Sequence, residues 1–192
     1  MLRFGVLGAG RIGKVHARTI AASGKAKVAY LADAMPKAAE ELAAEVGAKV
    51  ASVEDIIKAK DVDAVLIATP TPFHAEQIEA ASNAGKAILC EKPVSLSVER
   101  IEQCLKTVEK NKSTLMIGFN RRFDPNFASL EKRLRDGAVG NIELATIISR
   151  DPAPPPASYV KSSGGIFRDM MIHDLDLARF LVGEEFVTVQ AL

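Results

Sequence analysis

Short apolar runs alternate with helix-like segments along the first 120 residues. The apolar runs include residues 4–7, 62–68 and 87–90. Between them lie segments with apolar residues at helical spacing, most clearly at 97–112. This alternation predicts right-handed crossovers and one parallel sheet with helices on both faces. We therefore expect an α/β fold built on a six-stranded, doubly wound sheet that ends near residue 120.

A glycine-rich turn follows the first predicted strand and opens the first predicted helix. It contains Gly8, Gly10 and Gly13, with Arg11 and Ile12 before the third glycine. The first glycine permits a tight turn, the second lets the backbone approach a pyrophosphate, and the third allows close helix–strand packing. The helix N-terminus adds free N–H groups and partial positive charge. The turn predicts a Rossmann dinucleotide site, although glycines also serve turns alone.

An acidic residue stands at the end of the second predicted strand. Asp33 lies twenty residues beyond Gly13. A carboxylate at this position accepts hydrogen bonds from a ribose 2′-OH and repels a 2′-phosphate. No arginine follows at Ala34 or Met35 to pair with such a phosphate. Asp33 therefore predicts NAD rather than NADP, and the alternative is an aspartate that caps the helix starting near Pro36.

Two further loops follow the fourth and fifth predicted strands, at the sheet edge where α/β proteins bind ligands. The first contains Thr69, Pro70 and His74. The histidine there has two open interpretations, as a residue facing the cofactor or as one that begins a helix. The second loop contains Glu91 and Lys92. This lysine is placed for substrate chemistry, and the alternative is a surface lysine in a turn.

The predicted helix at 166–181 carries three polar residues on one stripe. Asp169, His173 and Asp176 are spaced i, i+4 and i+7,. A carboxylate beside an imidazole can act as an acid–base pair, and the alternative is a solvated helix face. The apolar side chains of the opposite stripe are expected to be buried: Phe167, Met171, Leu175, Ala178 and Val182. No further ligand cluster supports a metal site, so no metal is expected.

These motifs, in this order, resemble those of the Gfo/Idh/MocA oxidoreductases, a family named after glucose–fructose oxidoreductase, inositol dehydrogenase and a rhizopine catabolism protein. The resemblance also includes residues 118–124 and the segment 164–176, so it runs through essentially the whole chain. Residues 121–124 and 149–152 are most similar to the bacterial members that oxidise inositol at its 2-position.

The resemblance implies NAD-dependent oxidation of a ring secondary alcohol of a cyclic polyol, myo-inositol, to the ketone. It makes Lys92, Asp169 and His173 the catalytic group and places Asp176 against substrate hydroxyls. It also implies a cis peptide bond between Lys92 and Pro93. The cofactor contacts expected are Gly8, Gly10, Arg11, Ile12, Gly13, Asp33, Thr69, Pro70, His74 and Glu91.

Two rival functions stay open at this point. One is a sugar or inositol-isomer dehydrogenase of the same family. The other is a dinucleotide-sensing regulator on the same fold, because a fold does not fix a function. The acid–base residues Lys92, Asp169 and His173 argue against the regulator, which has no need of them.

The chain of 192 residues is expected to hold two domains, an NAD-binding domain at 1–120 and the start of a substrate and oligomerisation domain at 121–192. Predicted strands at 142–149 and 186–189 leave a half-built sheet, so we expect the second domain to be an incomplete α+β substrate domain. The residues 151–156 are proline-rich and predict an irregular loop.

The net charge excludes some classes of binding partner, and the cysteines indicate the cellular compartment. A net charge of +1, without a basic tail, indicates neither nucleic acid nor an anionic membrane as a partner,. No secretion signal or membrane-length apolar run is recognisable. Cys90 and Cys104 both read as buried thiols, which is typical of a cytoplasmic protein. The family resemblance implies a homo-oligomer, with a tetramer favoured.

Overall fold

The structure is a computed structural model that describes residues 1–155, 160 and 163–191. The chain divides into two compact units, Met1–Gly118 and Phe119–Leu192. The assignment of one domain to the cofactor and one to the substrate, with its boundary at residue 120, stays a prediction.

A six-stranded parallel sheet forms the centre of the first unit. Its order is β3-β2-β1-β4-β5-β6, so the chain reverses its direction of travel across the sheet between β1 and β4. This topology confirms the predicted doubly wound α/β fold. The strands are β1 Leu2–Leu7, β2 Ala26–Ala32, β3 Lys49–Val50, β4 Ala64–Ile67, β5 Ala87–Cys90 and β6 Leu115–Ile117.

Helices connect the strands of the first unit, and serine side chains fix where two of them begin. Ser52 accepts a hydrogen bond from the Asp55 N–H, and Ser97 accepts one from the Arg100 N–H,. The helices are α1 Arg11–Ala22, α2 Pro36–Val46, α3 Val53–Lys58, α4 His74–Asn83 and α5 Val98–Asn111.

Both faces of the sheet are buried, which explains why its central strands are apolar without interruption. Successive residues of β1 enter different clusters, Val6 with α1 and α2 and Leu7 with α3, α4 and α5. All four residues of β4 are buried. The polar chemistry of this unit is therefore confined to the ends of the strands.

The two cysteines are free and fully buried, as predicted. Burial raises the pKa of both thiols. For Cys104 burial is the larger cause and the nearby charge of Glu79 the second, and together they bring the pKa to about 11. Neither thiol is therefore ionised near neutral pH.

The second unit is helical in the part that the structure describes. Its regular elements among the described residues are a 3₁₀ turn at Asn120–Phe123, α6 Pro125–Arg135, a π-helical turn at Phe167–Met171 and α7 Ile172–Val182. Residues 151–155 have no regular structure, as predicted, while Pro156 lies outside the described residues. Across residues 1–155, 160 and 163–191, no helix has both the length and the apolar character needed to cross a membrane.

The strands predicted at 142–149 and 186–189 are wrong for this structure. Neither segment pairs with a strand among the described residues, and Leu144 and Val187 are 85% and 95% exposed. Apolar alternation makes a segment suited to a sheet, but a strand exists only where a neighbour supplies backbone hydrogen bonds.

Candidate functional site

The glycine turn between β1 and α1 is shaped by contacts that exclude side chains at two of its three glycines. Gly8 has a φ of +104°, and a Cβ there would lie 2.5 Å from the Ala68 carbonyl oxygen. A Cβ on Gly13 would lie 2.1 Å from the Gly8 carbonyl oxygen. These two glycines are therefore required by the packing of the turn itself.

Gly10 differs from the other two glycines because a Cβ there would meet no atom within 4 Å. It is exposed, immediately precedes α1 and supplies no side-chain cap to the helix. Arg11 and Ile12 follow it and are also exposed. The N–H groups of a first helical turn have no partner within the helix, so this open N-terminus suits an anionic group.

Asp33 joins the glycine turn to the start of α2. Its Oδ2 accepts the Ala9 N–H at 2.6 Å, and its Oδ1 accepts the Met35 N–H at 2.8 Å. The second contact closes a turn before α2, but no side chain caps that helix, so the alternative of a capping aspartate is wrong. A carboxylate has about four acceptor positions, so hydroxyl donors can still bind it. Three features suit a dinucleotide with an unmodified ribose: the exposed N-terminus of α1, the open space at Gly10 and the carboxylate of Asp33.

His74 lies inside the protein at the start of α4. It is 1% exposed, and its Nε2 lies 2.6 Å from the carbonyl oxygen of Thr69. Its Nδ1 lies 2.8 Å from the carbonyl oxygen of Pro93. The ring thus connects the loop after β4 to the loop after β5. Pro70, which follows Thr69 in the first of these loops, is exposed. Direct contact of His74 with a cofactor stays a prediction.

The loop after β5 contains Lys92, which is half-buried and precedes Pro93 through a cis peptide bond, as predicted. The backbone on its N-terminal side is fixed by the neighbouring strands. The Glu91 N–H donates to the Ile67 carbonyl at 2.9 Å, and the Gly118 N–H donates to the Cys90 carbonyl at 2.8 Å. The position of Lys92 is therefore tied to the carboxyl end of the sheet.

Sequence reasoning did not find His16, which contacts Glu91. His16 Nε2 lies 2.7 Å from Glu91 Oε1, although 75 residues separate the two. No spacing rule connects positions in two different crossovers. The available signal was weaker: a histidine on α1, just beyond the glycine turn.

In the second unit, Asp176 is buried and paired. It is 5% exposed, and both of its carboxylate oxygens accept hydrogen bonds from Arg122. These hydrogen bonds raise the pKa of the Arg122 guanidinium, which also lies 5.4 Å from the centre of the Phe180 ring. Beside this pair, Arg121 forms an ion pair with Asp174. The substrate contact expected of Asp176 stays a prediction.

Asp169 and His173 are both half-buried, but they do not belong to one regular helix. Asp169 lies in the π-helical turn and His173 in the first turn of α7. The predicted stripe of buried apolar residues is wrong, since Phe167 and Leu175 are 61% and 42% exposed. A π-helical turn holds more residues than an α-helical one, so the spacing of 3.6 residues does not carry through it.

Within residues 1–155, 160 and 163–191, no group of three or more histidine, cysteine, aspartate or glutamate side chains is arranged to hold a metal ion.

Comparison with known families identifies matches to both units. Residues 2–119 match the Gfo/Idh/MocA family described as "Oxidoreductase family, NAD-binding Rossmann fold". Residues 127–192 match the "GFO/IDH/MocA C-terminal domain".

Individual relatives are also similar over nearly the whole chain. An inositol 2-dehydrogenase of Rhizobium meliloti is 55% identical over 99% of this chain and 58% of its own length. The crystal structure of a myo-inositol dehydrogenase from Corynebacterium glutamicum is 44% identical with a TM-score of 0.90, over 94% of this chain and 55% of that one. A scyllo-inositol dehydrogenase from Lactobacillus casei, solved with NAD(H) and scyllo-inositol bound, is 36% identical with a TM-score of 0.88, over 96% and 57%. The chain thus spans little more than half the length of these relatives.

Proposed function

The chain belongs to the Gfo/Idh/MocA oxidoreductase family. From that premise we propose that it is part of an NAD-dependent dehydrogenase that acts on a cyclic polyol. The reaction is oxidation of a ring secondary alcohol of myo-inositol to the ketone, 2-keto-myo-inositol. One observation carries this proposal: the 55% identity to an inositol 2-dehydrogenase extends over 99% of the chain.

The first unit binds NAD in this proposal. The exposed N-terminus of α1 receives the pyrophosphate, and Gly10 leaves room for it,. Asp33 accepts hydrogen bonds from the ribose hydroxyls and disfavours a 2′-phosphate. The full set of proposed contacts is Gly8, Gly10, Arg11, Ile12, Gly13, Asp33, Thr69, Pro70, His74 and Glu91.

The proton chemistry is assigned to three residues. His173 accepts the proton of the substrate hydroxyl, because a neutral imidazole can act as a general base near neutral pH. Asp169 orients the imidazole and stabilises its protonated form, and Lys92 donates a hydrogen bond to the reacting oxygen. Asp176 contributes to substrate binding. When bound, NAD supplies the acceptor for the hydride that leaves the alcohol carbon.

Two alternatives lead to different results in one assay. The full-length protein is mixed with NAD and a panel of polyols, and formation of NADH is followed by absorbance. We expect the highest kcat/KM with myo-inositol. A higher kcat/KM with another sugar or inositol isomer would move the protein to the rival dehydrogenase. NAD binding without turnover of any polyol would support the dinucleotide-sensing regulator.

We also propose a cytoplasmic homo-oligomer, a tetramer by analogy with the family. Two free, buried thiols support the compartment,. Light scattering of the full-length protein measures the assembly.

A further inference from the structure

One contact connects the helix that follows the glycine turn to the loop that carries Lys92. His16 lies in the second turn of α1, and its Nε2 is 2.7 Å from Glu91 Oε1. A carboxylate oxygen accepts, so the imidazole donates this hydrogen bond. The two side chains are 27% and 15% exposed. A contact with this little access to water is less weakened by solvent than a surface pair.

The contact spans the region where the sheet changes direction. α1 follows β1, whereas Glu91 follows β5, and β4 lies between these two strands. In sheets of this type, ligands bind outside the carboxyl ends of the strands at such a reversal. The hydrogen bond therefore joins α1, the helix proposed to receive the pyrophosphate, to Glu91, the residue that precedes Lys92.

Other contacts limit the room around Glu91, and the hydrogen bond to His16 selects the orientation of its carboxylate. A Cβ on Gly118, the residue after β6, would lie 3.0 Å from Oε1 of Glu91, so the backbone there comes close to this carboxylate. The Glu91 backbone N–H is bonded to Ile67 of β4. On the other side of Lys92, the carbonyl of Pro93 lies 2.8 Å from the ring of His74. Both neighbours of Lys92 are thus held by histidines from different helices.

We propose that His16 is a positioning residue that sets the place of Lys92 by holding the carboxylate of Glu91. The proposal rests on the function assigned to Lys92 above. His16 does not take part in proton transfer in this account. Its removal lets Glu91 rotate, and Lys92 then loses its alignment with the reacting oxygen. Misplacement of a reacting group by about 1 Å can lower turnover about 100-fold.

The test compares two substitutions in the full-length protein. His16→Gln keeps an N–H donor near the position of Nε2, whereas His16→Leu removes it at similar volume. We expect His16→Leu to lower kcat by about 10- to 100-fold. Because Glu91 is also a proposed cofactor contact, the KM for NAD should rise, but by a smaller factor than kcat falls. His16→Gln should recover most of the loss. Thr19→Val, at an exposed position of the same helix, should keep the wild-type kcat, since the Thr19 hydroxyl donates to the Val15 carbonyl within that helix.

A second measurement asks whether His16 acts through Glu91. If it does, the loss in His16→Leu/Glu91→Gln should equal the larger of the two single losses, because coupled residues are not additive. Additive losses, or a near-native kcat in His16→Leu, would overturn the proposal. Lys92→Ala separates this outcome from failure of the proposed function. If Lys92→Ala keeps its turnover, the assignment of Lys92 is wrong, and the inference about His16 falls with it.

Discussion

Arg122 holds the buried carboxylate of Asp176 at two points, Nε to Oδ2 at 2.9 Å and Nη2 to Oδ1 at 2.6 Å. The two residues lie 54 positions apart, one before α6 and one on α7. An Asp that is 5% exposed depends on this partner for its charge,. The pair therefore contributes to how the second unit holds its helices together.

The first prediction concerns that pair. Arg122→Leu should lower the free energy of unfolding by roughly 3 kcal/mol, because it leaves the Asp176 charge buried without its cation. Denaturant unfolding measures the change. Arg179→Leu is the matched control, since the Arg179–Glu185 pair is 45% and 74% exposed and should contribute less than about 1 kcal/mol,. Equal losses in the two variants would contradict the claim that the buried Arg122–Asp176 pair stabilises the protein more than the exposed Arg179–Glu185 pair.

The second prediction separates folding from ligand binding within the glycine turn. Gly13→Ala should destabilise the protein by about 3 kcal/mol, because its Cβ would lie 2.1 Å from a backbone oxygen,. Gly10→Ala should change stability by less than about 0.5 kcal/mol, because nothing lies near its Cβ,. It should nevertheless weaken NAD binding. Unfolding curves and NAD titrations measure both, and unchanged NAD affinity in Gly10→Ala would remove the pyrophosphate from this position.

The third prediction is a preference for NAD over NADP. Asp33→Asn removes the charge, while its amide oxygen can still accept one of the two backbone N–H groups from Ala9 and Met35. The ratio of kcat/KM for NAD to that for NADP should fall about tenfold, equivalent to about 1.4 kcal/mol. Asp33→Ala, which loses both contacts, should also weaken the turn. A wild-type protein that uses NADP as well as NAD would show that Asp33 has another role.

The fourth prediction concerns proton transfer. His173→Ala should lower turnover by ~10²–10⁴, the usual loss for a missing general base. NAD affinity should stay near that of the wild type, because the proposed cofactor contacts all lie in the first unit. Steady-state kinetics and an NAD titration test the two halves separately. Near-native turnover in both His173→Ala and Lys92→Ala, at saturating inositol, would require another site.

The fifth prediction is a pH dependence of stability. A hydrogen bond from the Arg3 side chain, followed by one from its backbone N–H, lowers the pKa of Asp63 to about 2 from an ordinary 3.8. Since the folded-state pKa is the lower one, the stabilising contribution is complete above 3.8 and disappears as the pH falls through about 2. The stability difference between wild type and Asp63→Asn should therefore shrink in acid. A carboxyl titration by NMR with a midpoint near 3.8 would contradict this account.

The first unit was predictable because its signals are local. Uninterrupted apolar runs indicate strands buried on both faces, and the fingerprint of Gly8, Gly10 and Gly13 indicates the turn that opens α1. Pro36 favours a helix start through its fixed backbone angle, and Ser52 does so through a side-chain hydrogen bond to the backbone of the first turn,. Each of these features depends on a few neighbouring residues, so the sequence alone contains it.

The remaining features depend on partners that are distant in the chain. His16–Glu91 and Arg122–Asp176 join residues 75 and 54 positions apart, and only the fold brings them together. The strand expected at 142–149 failed because alternation does not supply a pairing partner. The burial expected of Phe167 failed because a π-helical turn changes the angle between successive side chains.

Arg3 and Asp63 lie at the amino ends of β1 and β4, and Lys86 precedes β5 at the same edge, donating to the carbonyls of Ala59 and Val62. The glycine turn, Asp33 and Lys92 lie at the other edge. The length of the strands thus separates the stabilising contacts of Arg3, Asp63 and Lys86 from the proposed cofactor and catalytic residues. A dye, a surface tether or a fusion partner attached at exposed positions of the amino edge, away from Arg3, Asp63 and Lys86, would therefore lie a strand's length from the proposed cofactor site.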